Sequence, residues 1–113
     1  MVKDLGFVKV AETSEGPAGM MKAFRIDGKG FLVANVNGNY YAIGNECTHA
    51  GGNLANGSLE GNVVTCPKHG AKFDVTTGKV VSGFKILFLH PKINDEHTYE
   101  VKVEGKEILL KTE

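Results

Sequence analysis

Residues 31–43 read FLVANVNGNYYAI, two apolar runs flanking Asn37-Gly38-Asn39. Asn-Gly places consecutive residues at positive φ at low steric cost, so it marks a tight hairpin between two strands. The flanks, Phe31–Val36 and Tyr40–Ile43, are too short for helices and rich in β-branched and aromatic residues. The same pattern repeats outward. Leu5–Val10 and Met20–Ile26 read as extended segments around the loop Glu12–Gly19. Leu59–Thr65 follows, and then Ala71–Val75 and Lys79–Val81 lie either side of a turn at Thr76-Thr77-Gly78. Thr98–Val103 alternates, with Tyr99, Val101 and Val103 on one face, and Glu104-Gly105-Lys106 turns it into Glu107–Lys111. Residues 82–97 read as a long connection. Glycine supplies 15 of 113 residues, well above the ~7% of average usage, and sits between the short segments. No stretch sustains a 3.6-residue apolar period, so the fold class expected is all-β.

A chain of 113 residues has room for one domain with a single modest core. Apolar residues at 42% and charged residues at 23% are those of an ordinary globular protein. Thirteen basic residues balance thirteen acidic ones, so the basic excess that nucleic-acid binding uses is absent. MVKDLGFVKV carries no apolar run of signal-peptide length, and the longest late apolar run is only Ile86 to Leu89. The expectation is a cytoplasmic protein without a membrane anchor.

The chemistry concentrates in two glycine-rich segments, Cys47-Thr48-His49 and, sixteen residues on, Cys66-Pro67-Lys68-His69. Each offers one thiol and one imidazole. Soft sulfur with imidazole suits zinc or an iron–sulfur centre and disfavours magnesium and calcium. Zinc fingers group their cysteines together and their histidines together, whereas here the order is Cys-His, Cys-His. That order suits two cysteines on one metal and two histidines on another a cluster length away, as in a [2Fe–2S] centre with mixed ligation. Zinc in the same four residues, giving an interaction module, is the alternative from a different class. A nucleophilic Cys–His pair would be redundant when present twice, and no third orienting residue is indicated. His90 and His97, with Asp95 or Glu96, imitate a two-histidine, one-carboxylate iron site, but they lie in a non-periodic stretch and read as surface or hinge histidines. Tyr40 and Tyr41 read as strand packing.

C-x-H-x16-C-x-x-H, set in CTHAGG and CPKHGAKFD, resembles the Rieske [2Fe–2S] domain, and most closely the small soluble Rieske-type ferredoxins. The resemblance implies an antiparallel fold in which a cluster-binding subdomain, residues 44–83, is inserted into a base made of 1–43 and 84–113. It implies Cys47 and Cys66 on an inner iron and His49 and His69 on an outer one. It also implies one-electron transfer without substrate turnover, from an NAD(P)H-dependent flavin reductase to a terminal oxygenase or another redox enzyme. The runner-up is a small subunit of a larger oxidoreductase complex.

Two ferric ions, two sulfides and two thiolates make a neutral oxidised site, which accepts an electron more readily than a four-thiolate site. Rieske potentials accordingly span about −150 to +300 mV, against about −400 mV for plant-type clusters. High-potential members tie their loops with an extra disulfide and carry a serine and an aromatic hydroxyl that hydrogen-bond to cluster-ligating sulfurs. The matching positions here are Gly52 and Lys68, and Ala71 and Phe73. The potential expected is at the low end of the range. Ser82-Gly83 is followed by Phe84 where many members soon place a proline, so the cover of the cluster departs from the family pattern there.

Overall fold

The structure is a computed structural model that describes residues 6–46, 53–67, 70–82 and 95–112. Strand β3 (Lys29–Val36) is its centre. Phe31 to Asn35 are all buried, so both faces of the strand are covered. β3 pairs with β2 (Met21–Ile26) and β4 (Asn39–Gly44), and β9 (Thr98–Tyr99) completes a four-stranded antiparallel sheet in the order β2-β3-β4-β9. Two hairpins build it. Asn37 and Gly38 adopt φ of 54° and 93° between the paired Val36 and Asn39, and Asp27 and Gly28 adopt 51° and 80° between Ile26 and Lys29. The second is also an Asp-Gly turn, a hairpin signal that the sequence reading above does not use.

A three-stranded sheet, β1-β11-β10, joins β1 (Phe7–Glu12) to β11 (Glu107–Lys111) and β10 (Val101–Glu104). A four-stranded sheet, β5-β6-β7-β8, is made of Ser58–Glu60, Val63–Thr65, Lys72–Asp74 and Val80–Ser82, and among the described residues its strands pair with one another alone. Two readings of the sequence change here. Leu59–Thr65 is not one strand, because Gly61, at φ 60°, turns β5 back on β6. Thr98–Val103 is not one strand either: the chain switches sheets at Glu100, with β9 pairing to β4 and β10 to β11. Val103, read on one face with Tyr99 and Val101, is 45% exposed.

The two faces of β3 feed two cores. Phe31 and Val33 pack with Ala42, Leu110 and the half-buried Val10, Phe24, Tyr99 and Val101, which joins the first two sheets. Phe31 and Tyr99 meet edge to face at 4.7 Å, and the Lys29 ammonium lies over both rings. Leu32 and Ala34, with Ile43, pack against Leu54, Val64, Cys66, Ala71, Phe73 and Val75. In the small sheet Leu59, Val64, Phe73 and Val80 form one cross-strand row facing this second core. Truncating a buried phenylalanine such as Phe31 or Phe73 to alanine costs about 3–5 kcal/mol in comparable cores.

Among the described residues Asn35 and Glu96 are the buried polar ones, and Asn35 is satisfied. Its Nδ2 donates to the Gly16 carbonyl at 2.7 Å and its Oδ1 accepts from Gly38 N at 2.8 Å. The Tyr40 hydroxyl donates to the same Gly16 carbonyl at 2.6 Å, which assigns Tyr40 to packing. Residues 95–97 lie across the β7–β8 turn: Glu96 N donates to Gly78 O at 2.6 Å, Val80 N to Asp95 Oδ1 at 2.8 Å, and Gly44 N to His97 O at 3.0 Å. A Cβ on Gly78 would overlap the Glu96 carbonyl, so only glycine admits this crossing. The remainder of the expected connection, 83–94, lies outside the described residues.

Two tests follow from these contacts. Asn35→Ala removes both side-chain bonds and leaves Gly38 N without its partner, so urea titration should show a loss of about 1–3 kcal/mol. At the β7–β8 turn, burial pushes the Asp74 carboxyl up, but hydrogen bonds from the Thr76 hydroxyl and amide, with Asn62 and Thr77, outweigh it and hold the group below the usual carboxylate range. A depressed folded pKa gives stability that is present above the unfolded value of about 3.9 and is lost as pH falls through the folded one. The melting temperature of the native chain should therefore exceed that of Asp74→Asn at pH 7. The gap should close below about pH 4, and a gap that widens in acid would contradict the assignment.

Candidate metal centre

Both cysteine–histidine segments spring from strand ends that the structure defines. Directly after β4, Asn45 uses every polar atom it has. Its backbone N donates to Gly30 O at 3.2 Å and its carbonyl accepts from Leu54 N at 2.8 Å. Its Nδ2 donates to Asn53 Oδ1 at 2.7 Å, and its Oδ1 accepts from Ala55 N at 3.0 Å. Glu46 and Asn53 form an isolated antiparallel bridge. The six residues 47–52, which include Cys47 and His49, therefore begin and end at one pinned pair. Asn53 also caps the short 3-10 turn Leu54–Asn56, accepting from Ala55 N at 3.1 Å, and that turn drives Leu54 into the core at 0% exposure.

The second segment begins beyond the paired Thr65 and Lys72. Cys66 N donates to Ala71 O at 2.7 Å, and Gly70 N donates back to Cys66 O at 3.1 Å. Gly70 takes φ 81°, which a side chain would strain. This turn buries Cys66 to 1% exposure in the core that holds Leu54, Val64, Ala71 and Phe73.

The two feet touch. A Cβ on Gly57, which follows the first segment, would overlap the Thr65 carbonyl and lie 3.2 Å from Pro67 Cδ. With Leu54 and Cys66 in the same core cluster, the chain leaving residues 47–52 lies against the chain entering Cys66–Gly70. Beside the first foot is a polar groove of about 600 Å³, lined by Arg25, Asp27, Lys29, Glu46 and Glu96 among others, with charges of both signs.

Of the four expected ligands, Cys66 is described, and it is a free, buried thiol. Cys47, His49 and His69 lie outside the described residues, as do Gly52, Lys68 and His90. Among the described residues, no three His, Cys, Asp or Glu side chains gather where a metal ion could sit. In particular, the imitation iron site gains no support from its described members. Asp95 caps β8, Glu96 is buried against Gly44, and His97 is exposed with its ring 4.7 Å from Tyr99. The donor chemistry of Cys66 fits an iron–sulfur centre, since it is a soft sulfur with an apolar surround. Ala71 and Phe73 bring no hydroxyl to that surround. Sequence reasoning does not single out Asn45, Asn53 or Gly57; the only signal is that two asparagines bracket the first motif.

The model of the Rieske [2Fe–2S] domain family matches residues 6–85. The ferredoxin component of the naphthalene 1,2-dioxygenase/salicylate 5-hydroxylase systems of a Ralstonia species is 36% identical over 97 residues, 86% of each chain. The ferredoxin component of biphenyl 2,3-dioxygenase from Rhodococcus jostii is 35% identical over 109 residues, covering 96% of this chain and 95% of the relative. Among solved structures, the ferredoxin of carbazole 1,9a-dioxygenase from Nocardioides aromaticivorans superimposes with a TM-score of 0.80 at 33% identity, covering 92% of this chain and 95% of that one. A chain from a complex of reduced oxygenase and oxidised ferredoxin in carbazole 1,9a-dioxygenase gives a TM-score of 0.85 at 29% identity, covering 97% and 96%. An all-β fold, a buried sulfur on a glycine-closed turn and a second motif pinned beside it thus agree with a family match over most of the chain: it belongs to the Rieske [2Fe–2S] domain family, and its cofactor is a Rieske-type [2Fe–2S] cluster.

Proposed function

We propose that this chain is a one-electron carrier that passes electrons from a reductase to an oxygenase, with no substrate turnover of its own. Cys47, His49, Cys66 and His69 hold its cluster. The observation that carries the reading is the contact between the two feet, Gly57 against Thr65 and Pro67, with Leu54 and Cys66 in one core. It brings the origins of both cysteine–histidine motifs to one end of the small sheet. We take residues 44–83 as the cluster-binding subdomain within a base of 1–43 and 84–113. The self-contained pairing of β5 to β8 supports that division. Relatives that are ferredoxin components of dioxygenase systems support the oxygenase as acceptor. A flavin reductase drawing on NAD(P)H is the matching donor, and such a donor points to the cytoplasm. No helix among the described residues is long and apolar enough to cross a membrane.

When bound, the cluster supplies a centre that gains and loses one electron without making or breaking a bond to substrate. The protein's part is to hold four donors rigidly and to set the surroundings of the sulfurs. The buried Cys66 contributes one thiolate from a turn fixed by two backbone hydrogen bonds. Ala71 and Phe73, both at 0% exposure, pack in the same core without a hydroxyl. Hydrogen bonds to sulfur stabilise the reduced, more negative state, so their absence holds the potential down.

The decisive test is EPR of the dithionite-reduced protein, with iron and acid-labile sulfide assayed on the same sample. The result expected is a rhombic signal with an average g below that of four-cysteine clusters, at two irons and two sulfides per chain. Cys66→Ser and His69→Ala should each abolish or reshape that signal. A colourless, EPR-silent protein with stoichiometric zinc that resists reconstitution would refute the electron-carrier reading, because zinc is d¹⁰ and has no redox chemistry. A second test concerns the potential. The native chain should titrate at the low end of the ~−150 to +300 mV Rieske window. Ala71→Ser and Phe73→Tyr, each restoring a hydroxyl, should raise it, and a fall in both variants would show that the polarity argument has the wrong sign.

A further inference from the structure

The bonds around Asn45 and Asn53 have a direction. Ala55 N is a backbone donor and cannot accept, so the side-chain atom of Asn45 that meets it at 3.0 Å must be Oδ1. The other end of the same amide, facing Asn53 at 2.7 Å, must then be the NH₂ group. Asn53 meets it with Oδ1, which accepts from Ala55 N at 3.1 Å as well. Position 45 is thus required to donate and accept, whereas position 53 only accepts. These bonds span residues 47–52, closing with the Glu46–Asn53 bridge the segment that carries Cys47 and His49.

From this we infer that the Asn45–Asn53 amide pair is a one-way latch, and that Asn45 is a positioning residue that sets how tightly the first ligand segment keeps its metal. The inference rests on the ligand assignment made above. Its consequence is an asymmetry between two substitutions of equal charge. Asn53→Asp keeps an acceptor for both the Asn45 amide and Ala55 N, and the bond from Asn45 becomes charge-assisted. Asn45→Asp keeps the acceptor for Ala55 N but turns a carboxylate oxygen toward the Asn53 carbonyl oxygen, so an attraction becomes a repulsion. Each variant places one new negative charge at the same foot, so a purely electrostatic effect on the cluster would be shared by both.

The experiment is to purify the native holoprotein and both variants, then follow the decay of visible absorbance in air with EDTA. Midpoint potentials and EPR line widths are recorded on the same preparations. Asn45→Asp should lose its cluster roughly tenfold faster than the native chain, the factor that follows from losing about one hydrogen bond and gaining a repulsion. Asn53→Asp should stay within about twofold. Asn45→Asp should also broaden the EPR signal, whereas Asn53→Asp should lower the potential without broadening. If Asn45→Asp yields no folded holoprotein, the uncharged Asn45→Ala replaces it, with a severalfold faster loss expected against the unchanged Asn53→Asp. Asn45→Asp combined with Asn53→Ser, which offers a hydroxyl donor, should recover most of the retention. Equal decay and equal line widths in the two aspartate variants would overturn the latch. A native protein with no [2Fe–2S] signal would instead overturn the ligand assignment beneath it, so the two failures are distinct.

Discussion

Everything in this fold depends on a strand that cannot face water on either side. Five consecutive residues of β3, Phe31 to Asn35, are buried, and alternate side chains feed different cores. Phe31 and Val33 hold the two larger sheets together, while Leu32 and Ala34 form the floor on which the small sheet rests. The small sheet is too thin to stand alone. Each of its four strands is three residues long, and the row Leu59, Val64, Phe73 and Val80 packs into the second core. Its stability is therefore borrowed from the base through Leu32, Ala34 and Ile43. A change at this interface reaches Cys66 directly, because Cys66 belongs to the same cluster of buried side chains.

On this floor the two segments proposed to bear the ligands are held by different means. The segment ending in His69 starts from within a β-hairpin, and backbone bonds between Cys66, Gly70 and Ala71 fix its origin. The segment bearing Cys47 and His49 starts beyond the end of β4, an inner strand of the large sheet, and leads toward the small one, so its two ends belong to different sheets. Side-chain amides hold those ends, through Asn45 and Asn53. The strap at residues 95–97 also ties the same two sheets together, through Gly78, Val80 and Gly44. On the proposed ligand assignment, metal retention and sheet docking are parts of one mechanical problem.

Local signals carried much of this into the sequence. Asn37-Gly38 marks its hairpin because positive φ at two consecutive residues selects those side chains, and the spacing of Cys47, His49, Cys66 and His69 carries the resemblance to the Rieske family. Asp27-Gly28 carries the same local signal between Ile26 and Lys29. The division of Leu59–Thr65 rests on Gly61, whose turn is weakly encoded because Gly-Asn lies inside a stretch of seven residues, short enough to read as one strand. The sheet switch at Glu100 is not written locally at all. Tyr99 and Val101 look like one alternating strand, and only their partners, β4 on one side and β11 on the other, separate them. Asn45 and Gly57 are silent for the same reason. Their roles depend on residues brought to them by the fold, and an asparagine or a glycine in a loop is ordinary until those neighbours are known.

The pairing of β1 with β11 has a bearing on how the molecule comes into being. Phe7 lies opposite Lys111, so the outermost described strands are neighbours, and Leu110 supplies a fully buried side chain to the core beneath Phe31. Contacts between residues so far apart in sequence form slowly, because a large loop must close before they contribute. During synthesis the part that carries both cysteine–histidine motifs, up to about Ser82, emerges before the strand that closes the base. For that interval its thiols are already present on a chain whose supporting core is unfinished. β11 thus completes the base only after both thiols have left the ribosome.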